Sequence, residues 1–245
     1  MINILIPASG MGSRVRDHYG VIKPLIEVNS RTLIDWVIQN VYCKDAHYIF
    51  IVQREHCRDF GLDDKLNEYC AKLSSKCSVV QIDGQTQGAA SSCLKARDLV
   101  DNNEKLLIAN SDQYCKNFST EIIFKQMEID RADVSAIVFE DDSPKWSFMK
   151  VNNFGNVCRV AEKNPISNLA TLGYYFWMRG KDFVKGALDM ISDDFRVNGE
   201  FYVCPVISYN INDGLVTKAY YSDKCYGTGT IIDIENFKKV SKSWN

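Results

Sequence analysis

The first 140 residues alternate short apolar runs with segments whose apolar positions recur every three or four residues. Ile2–Pro7 is a continuous apolar run of strand length, and His47–Gln53, Val79–Ile82, Lys105–Ala109 and Val134–Phe139 repeat the pattern. Between the first two runs, Leu33, Trp36, Val37, Asn40 and Val41 fall on one helical face, with Thr32 and Asp35 placed to cap its start. Leu62, Leu66, Tyr69 and Leu73 predict a helix over Leu62–Leu73, and the same spacing predicts helices over Ala89–Val100 and Ile122–Ile129. Strands that alternate with helices in this way pair in parallel, each helix crossing over the sheet.

Beyond residue 140 the pattern changes. Phe148–Val151, Val157–Ala161 and Thr171–Met178 follow one another closely, with a turn expected at Asn153–Gly155, so antiparallel strands are predicted here. The aromatics Tyr174, Tyr175, Phe176 and Trp177 read as packing. Helices are expected at Asp182–Ile191 and near Glu200–Tyr209, then a strand at Leu215–Tyr221 and a last helix at Ile232–Val240. The expected fold class is α/β: a mainly parallel mixed sheet flanked by helices, with an antiparallel extension, in a single domain spanning 1–245. Ligands of open α/β sheets bind beyond the carboxyl ends of the strands, which directs attention to the loops after the first, third and fourth strands.

Composition narrows the function. Apolar residues are 46% and charged residues 24% of 245, ordinary for a globular protein. The net charge of −2 does not suit a polyanionic partner, so no nucleic acid is expected. No apolar run approaches the roughly 18 residues of a membrane helix, and the opening residues carry no basic flank of an export signal, so no membrane partner and a cytoplasmic location are expected. Nine cysteines, at 43, 57, 70, 77, 93, 115, 158, 204 and 225, show no C-x-x-C and no clustered His–Cys spacing. They read as reduced, mostly buried packing residues.

The first strand ends in Pro7-Ala8-Ser9-Gly10-Met11-Gly12-Ser13-Arg14, and Lys23-Pro24 follows nine residues after the arginine. Small residues and glycines let backbone N–H groups approach phosphate oxygens, and Arg14 with Lys23 can hold several phosphates. The Walker pattern G-x-x-x-x-G-K-[ST] is absent, and Gly10-x-Gly12 runs on to Val15 where a dinucleotide loop needs its third glycine. After the third strand, Gly84-Gln85-Thr86-Gln87-Gly88-Ala89-Ala90 opens a helix whose small residues admit a flat base or a phosphate. The fourth strand ends in Ala109-Asn110-Ser111-Asp112, which places a carboxylate where a hard divalent cation would be held.

The segment IPASGMGSR…KPLIEV resembles the G-x-G-x-R…K-P signature of the sugar-phosphate nucleotidyltransferases, or nucleoside-diphosphate-sugar pyrophosphorylases. It is most similar to the short bacterial members related to glucose-1-phosphate thymidylyltransferase. The resemblance implies a Rossmann-like (GT-A-like) core, with residues 1–140 as the nucleotide-binding half and 141–245 as the sugar-phosphate-binding half. It implies Arg14 and Lys23 as catalytic residues. Ala8, Ser9, Gly10, Met11, Gly12, Ser13, Gln85, Gly88, Ala89 and Ser111 would meet the nucleotide, Gln81 being a second candidate for the base edge. Asp112 would bind Mg²⁺. Ser147, Glu162, Lys163, Thr171 and Gly173 would meet the sugar phosphate, Glu162 through sugar hydroxyls and Lys163 through the phosphate. Asn164 is one residue more than the family's E-K-P run holds. In Gly227-Thr228-Gly229-Thr230, Gly227 stands where the family has a second metal-binding Asp, with Asp223 and Asp233 nearby.

The function implied is transfer of a nucleotidyl group from a nucleoside triphosphate to a sugar 1-phosphate with release of pyrophosphate, for surface (capsule) polysaccharide synthesis. The resemblance leaves room for a homo-oligomer. Three alternatives stand beside it. A cytidylyltransferase acting on a polyol or other non-sugar phosphate shares the motif. A glycosyltransferase of the same broad fold would need a D-x-D motif, which is absent. A non-catalytic nucleotide-binding regulator is supported by Gly227 and opposed by Arg14, Lys23 and Asp112.

Overall fold

In the computed structural model, which describes residues 1–222 and 224–244 and position 14 by its backbone alone, the apolar runs become strands. β1 (Ile2–Pro7) leads into α1 (Ser13–Tyr19), then through a single 3-10 turn at Lys23–Leu25 and the short β2 (Glu27–Val28) and β3 (Arg31–Thr32) into α2 (Leu33–Asn40). β4 (His47–Gln53), α3 (Arg54–Phe60), α4 (Leu62–Lys72) and β5 (Lys76–Ile82) follow. Next come α5 (Ala89–Cys93), α6 (Arg97–Val100), β6 (Lys105–Ala109), β7 (Gln113–Cys115), α7 (Thr120–Asp130) and β8 (Val134–Glu140). β9 (Ser147–Val151), β10 (Val157–Glu162) and β11 (Leu169–Trp177) precede α8 (Gly180–Ser192), α9 (Val206–Asn212), β12 (Thr217–Tyr221), β13 (Cys225–Gly227) and α10 (Ile231–Ser241).

Nine strands form one sheet. β1 lies between β4 and β6, parallel to both, and β5 extends it in parallel beyond β4. β11 turns the sheet over: it pairs antiparallel with β6 along Tyr174–Trp177, with β8 on its other side, and with β9 at Ala170–Thr171. β10 continues antiparallel from β9, and β12 lies parallel to β8. The edge strands are therefore β5, β10 and β12, and β10 carries a register shift between Val157 and Arg159.

The central strands are buried on both faces, which is why they read as unbroken apolar runs. Ile4, Tyr48, Phe50, Leu107, Tyr174 and Phe176 point into the core on one face. Leu5, Ile49, Ile51, Leu106, Tyr175 and Trp177 point into the core on the other. A third cluster holds Trp36, Val28 and Leu33 against Ile234 and Phe237 of α10, with Trp244 packed on it. Among the described residues no helix is long and apolar enough to cross a membrane. Six cysteines, 43, 57, 70, 93, 115 and 204, are buried, and Cys158 is exposed.

Three expectations change. The helix over Ala89–Val100 is broken by a 3-10 turn at Leu94–Ala96. Its buried positions Ala90, Cys93 and Ala96 repeat every three residues, which suits the tighter winding. The helix near Glu200–Tyr209 begins only at Val206, because Asn198–Gly199 makes a turn and Pro205 precedes the helix. α1 and α3 carry no long apolar stripe and were not foreseen; α3 (REHCRDF) buries only His56 and Cys57.

Candidate active site

The loops after β1, β5 and β6 meet at the carboxyl ends of their strands and enclose a cleft of about 420 Å³. Ala8, Ser9, Gly10, Met11 and Gly12 form one wall. This loop is held from below: Ala8 N–H donates to the Ile51 carbonyl at 2.8 Å, and Ser9 Oγ lies 3.3 Å from Ser92 Oγ. Gln53 staples two loops together, donating from Nε2 to the carbonyls of Ser9 (2.8 Å) and Gly84 (3.0 Å). Gly12 takes a left-handed conformation (φ 53°) as the N-cap of α1, with its α-carbon face toward Lys23. Ser13 is exposed at the first position of α1 and does not line the cleft. Arg14 follows in that first turn, its side chain outside the described residues.

Lys23 enters the cleft from the 3-10 turn that Pro24 starts. Its Nζ donates to Asp112 Oδ2 at 2.7 Å, an ion pair that neither partner leaves fully to solvent. Ser111 lies beside Asp112 on the same wall. The opposite wall is the segment after β5. Gln85 is exposed at its rim, and Gly88 and Ala89 lie deeper, where α5 begins. Gln81 does not line the cleft: it accepts from Arg54 at 3.1 Å and donates to Asp63 at 3.2 Å.

A second cavity, of about 180 Å³, adjoins the first, and Ala89, Asn110 and Asp112 line both. Ser147, Glu162, Lys163, Thr171 and Gly173 all line it. Ser147 Oγ donates to the Glu162 carboxylate. Burial pushes the Glu162 carboxyl above its ordinary range, against the pull of Ser147 and Lys163. Lys163 is fixed at its backbone by a left-handed φ of 54° and by donation to the Trp146 carbonyl at 3.0 Å. Burial works against its charge, but the Tyr202 hydroxyl and the carboxylates of Glu162 and Glu200 outweigh it and raise the ammonium's pKa. Thr171 Oγ1 lies 2.9 Å from the Tyr175 hydroxyl. Tyr175 thus packs in the core and also lines the cavity.

Gly173 is required by a close approach. A β-carbon there would sit 2.0 Å from Asn110 Nδ2, while its N–H donates to the Gln113 side chain and its carbonyl accepts from Asn110 N at 2.9 Å. The sequence reading missed Asn110, Gln113, Gln53, Lys145, Glu200 and Tyr202. The turn before the last two was marked, since Asn198-Gly199 is a strong hairpin-turn dipeptide, but nothing along the chain ties Tyr202 to Lys163.

The segment after β13 runs beside Asp112. Thr228 N–H donates to the Asp112 carbonyl at 2.7 Å, and Gly227 pairs with Gln113. A β-carbon on Gly227 would meet Trp146 Cη2 at 3.4 Å, an ordinary van der Waals contact. Asp233 comes near: its carboxylate and that of Asp112 each lie within 4 Å of where Gly229 would carry a β-carbon. Asp233 is already engaged, accepting from Thr230 N (3.0 Å) and Thr230 Oγ1 (2.7 Å) to cap α10. Asp223 lies outside the described residues. Among the described residues no three His, Cys, Asp or Glu side chains group to hold a metal. Mg²⁺ is commonly held by one or two carboxylates with substrate phosphates and water, so Asp112 alone fits a cation that arrives with a triphosphate.

The nucleotidyl transferase family model matches residues 4–192. No curated protein matches the chain in sequence. Among solved structures, a nucleoside-diphosphate-sugar pyrophosphorylase from Vibrio cholerae is similar with a TM-score of 0.82 at 23% identity, covering 98% of this chain and 100% of that one. A UDP-glucose pyrophosphorylase complexed with UDP-glucose gives 0.78 at 16% identity, with both chains covered in full. The inositol-1-phosphate CTP transferase from T. maritima gives 0.72 at 16% identity, covering 98% of this chain and 96% of that one. They share the α/β fold with its mixed, mostly parallel central sheet, and the family match, over most of the length, carries the assignment: the chain belongs to the nucleotidyl transferase family.

Proposed function

We propose that the chain transfers a nucleotidyl group from a nucleoside triphosphate to a sugar 1-phosphate and releases pyrophosphate. The observation that carries this reading is the adjoining pair of cavities, with the Lys23–Asp112 ion pair in one and Lys163 in the other. An oxygen of the acceptor phosphate attacks the α-phosphorus in line, and pyrophosphate leaves. No protein nucleophile is needed, so the chain's work is positioning and charge stabilisation. The loop Ala8–Gly12 cradles the triphosphate, and Arg14, assigned from its place in the sequence, meets the leaving pyrophosphate. Lys23 exchanges Asp112 for phosphate oxygens. Lys163 holds the acceptor phosphate against the repulsion of the triphosphate, and Glu162 receives sugar hydroxyls. Mg²⁺ held by Asp112 and the triphosphate would neutralise phosphate charge. The product would supply surface-polysaccharide synthesis in the cytoplasm.

A second reading is favoured by the inositol-1-phosphate CTP transferase neighbour: the same chemistry on a polyol phosphate. One experiment separates them. Pyrophosphate release is measured with Mg²⁺ for each nucleoside triphosphate against a panel of sugar 1-phosphates and inositol 1-phosphate. Release with a sugar 1-phosphate supports the first reading, and release with inositol phosphate alone the second. Silence throughout, with triphosphate binding intact, sinks both. On the active pair, Asp112→Asn is expected to slow release about a hundredfold or more, with little change in thermal midpoint.

A further inference from the structure

The chain between α8 and α9 crosses from one cavity to the other. Asn198 and Gly199 both take positive φ (48° and 81°), and Val197 and Glu200 exchange backbone hydrogen bonds of 3.0 Å across them. This tight turn sends the chain back over the cleft. Phe201 is then fixed at both backbone groups: its N–H donates to the Gln87 carbonyl at 2.7 Å, and its carbonyl accepts from Ala90 N–H at 3.0 Å. Its ring lies buried under the Arg196 guanidinium, 4.1 Å away. Tyr202, the next residue, is thereby placed on the wall of the acceptor cavity.

There its hydroxyl accepts from Lys163 Nζ, and the ammonium lies 4.5 Å from the centre of its ring. A phenol that accepts from an ammonium keeps its own proton to donate. The Glu200 carboxylate acts on the same hydroxyl through its charge and raises the phenol's pKa, with burial the larger cause. Any anion that reaches Lys163 Nζ comes within reach of this second donor.

We propose that Tyr202 is a binding residue for the acceptor's phosphate: its hydroxyl donates to a phosphate oxygen while still accepting from Lys163. The inference rests on the acceptor being a phosphate ester, as in the proposed function. It gives the acceptor phosphate two donors, one charged and one neutral, on one side of the cavity.

Tyr202→Phe keeps the ring and its contact with the ammonium and removes the hydroxyl alone. With triphosphate saturating, the acceptor KM is expected to rise about tenfold, the scale of a hydrogen bond to a charged group. The triphosphate KM and the thermal midpoint should stay where they are. An acceptor KM within twofold of wild type overturns the proposal. So does a loss confined to kcat, which would make Tyr202 a support for Lys163 and nothing more. Should Tyr202→Phe fail to fold, Tyr202→Gln, which restores a donor without the ring, is compared with Tyr202→Leu: a lower acceptor KM for the Gln variant supports the proposal, and equal values overturn it. If the wild-type chain turns over no acceptor, the functional reading fails separately. Inorganic phosphate is then titrated into wild type and Tyr202→Phe by calorimetry. Weaker binding to the variant supports the phenol as a phosphate donor, and equal binding overturns it.

Discussion

Glu162 is a carboxyl whose surroundings favour its neutral form. Because its folded pKa is raised, the native state holds this proton more tightly than the unfolded chain. Stability is then lost as pH rises from the usual glutamate value of 4.5 through the raised value, and the penalty persists at neutral pH. Glu162→Gln keeps an acceptor for Ser147 and removes the charge. It is expected to unfold at higher urea than wild type at pH 7, with the difference closing below pH 4.5, while acceptor turnover falls. Equal stability of the two at pH 7 would contradict this account. Such a trade of stability for a charged group in the site is familiar. The residues legible in the sequence were those whose neighbours along the chain announce them, such as Gly10–Gly12, Asp112 at a strand end and the Glu162–Lys163 pair. Tyr202 was not, because its partner Lys163 is 39 residues away and meets it only through a turn and two backbone bonds.

Two short elements control how the halves of the site meet. The first is the contact of Gly88 with Phe201. Gly88 has a φ of 122°, and a β-carbon there would stand 2.5 Å from the Phe201 carbonyl oxygen. Gly88→Ala is expected to cost about 2–4 kcal/mol in urea unfolding, combining backbone strain with overpacking. It should also weaken acceptor binding, since Phe201 carries Tyr202. The second is the start of α10, where Thr230 and Asp233 cap each other in a reciprocal box. Asp233→Ala is expected to cost about 1 kcal/mol, as capping losses do, and to leave the Mg²⁺ concentration for half-maximal pyrophosphate release unchanged. A large shift in that concentration would instead make Asp233 a metal ligand in place of the residue missing at Gly227. Periodicity located the long elements well: β1, β4 and β6 begin and end where their apolar runs do. It failed for α5 and α6, where a repeat of three and a repeat of four look alike over a dozen residues.

Across the molecule, the parallel half was readable because strands buried on both faces leave unbroken apolar runs. The partners of β11 were not, since it serves β6, β8 and β9 from one nine-residue stretch. Nor was the pairing of β7 with β13, which joins residues more than 100 apart through three positions each. That pairing depends on the aromatic cluster beneath it, where Phe237 lies edge-on to Trp36 at 5.5 Å and to Trp244 at 5.8 Å. Phe237→Ala is expected to lower stability by about 3–5 kcal/mol, as truncation of a buried phenylalanine does, and to slow turnover by loosening the segment beside Asp112. Urea unfolding and pyrophosphate release on the same sample check both. At the margins of the sheet, β5 opens with the exposed Lys76, β12 carries Lys218 tied to the Gly155 carbonyl, and β10 is kinked next to the exposed Arg159. Charge and a kink on an outer strand deny an incoming strand its flat row of partners. Crowding many copies together is therefore not expected to lengthen the sheet from one chain to the next.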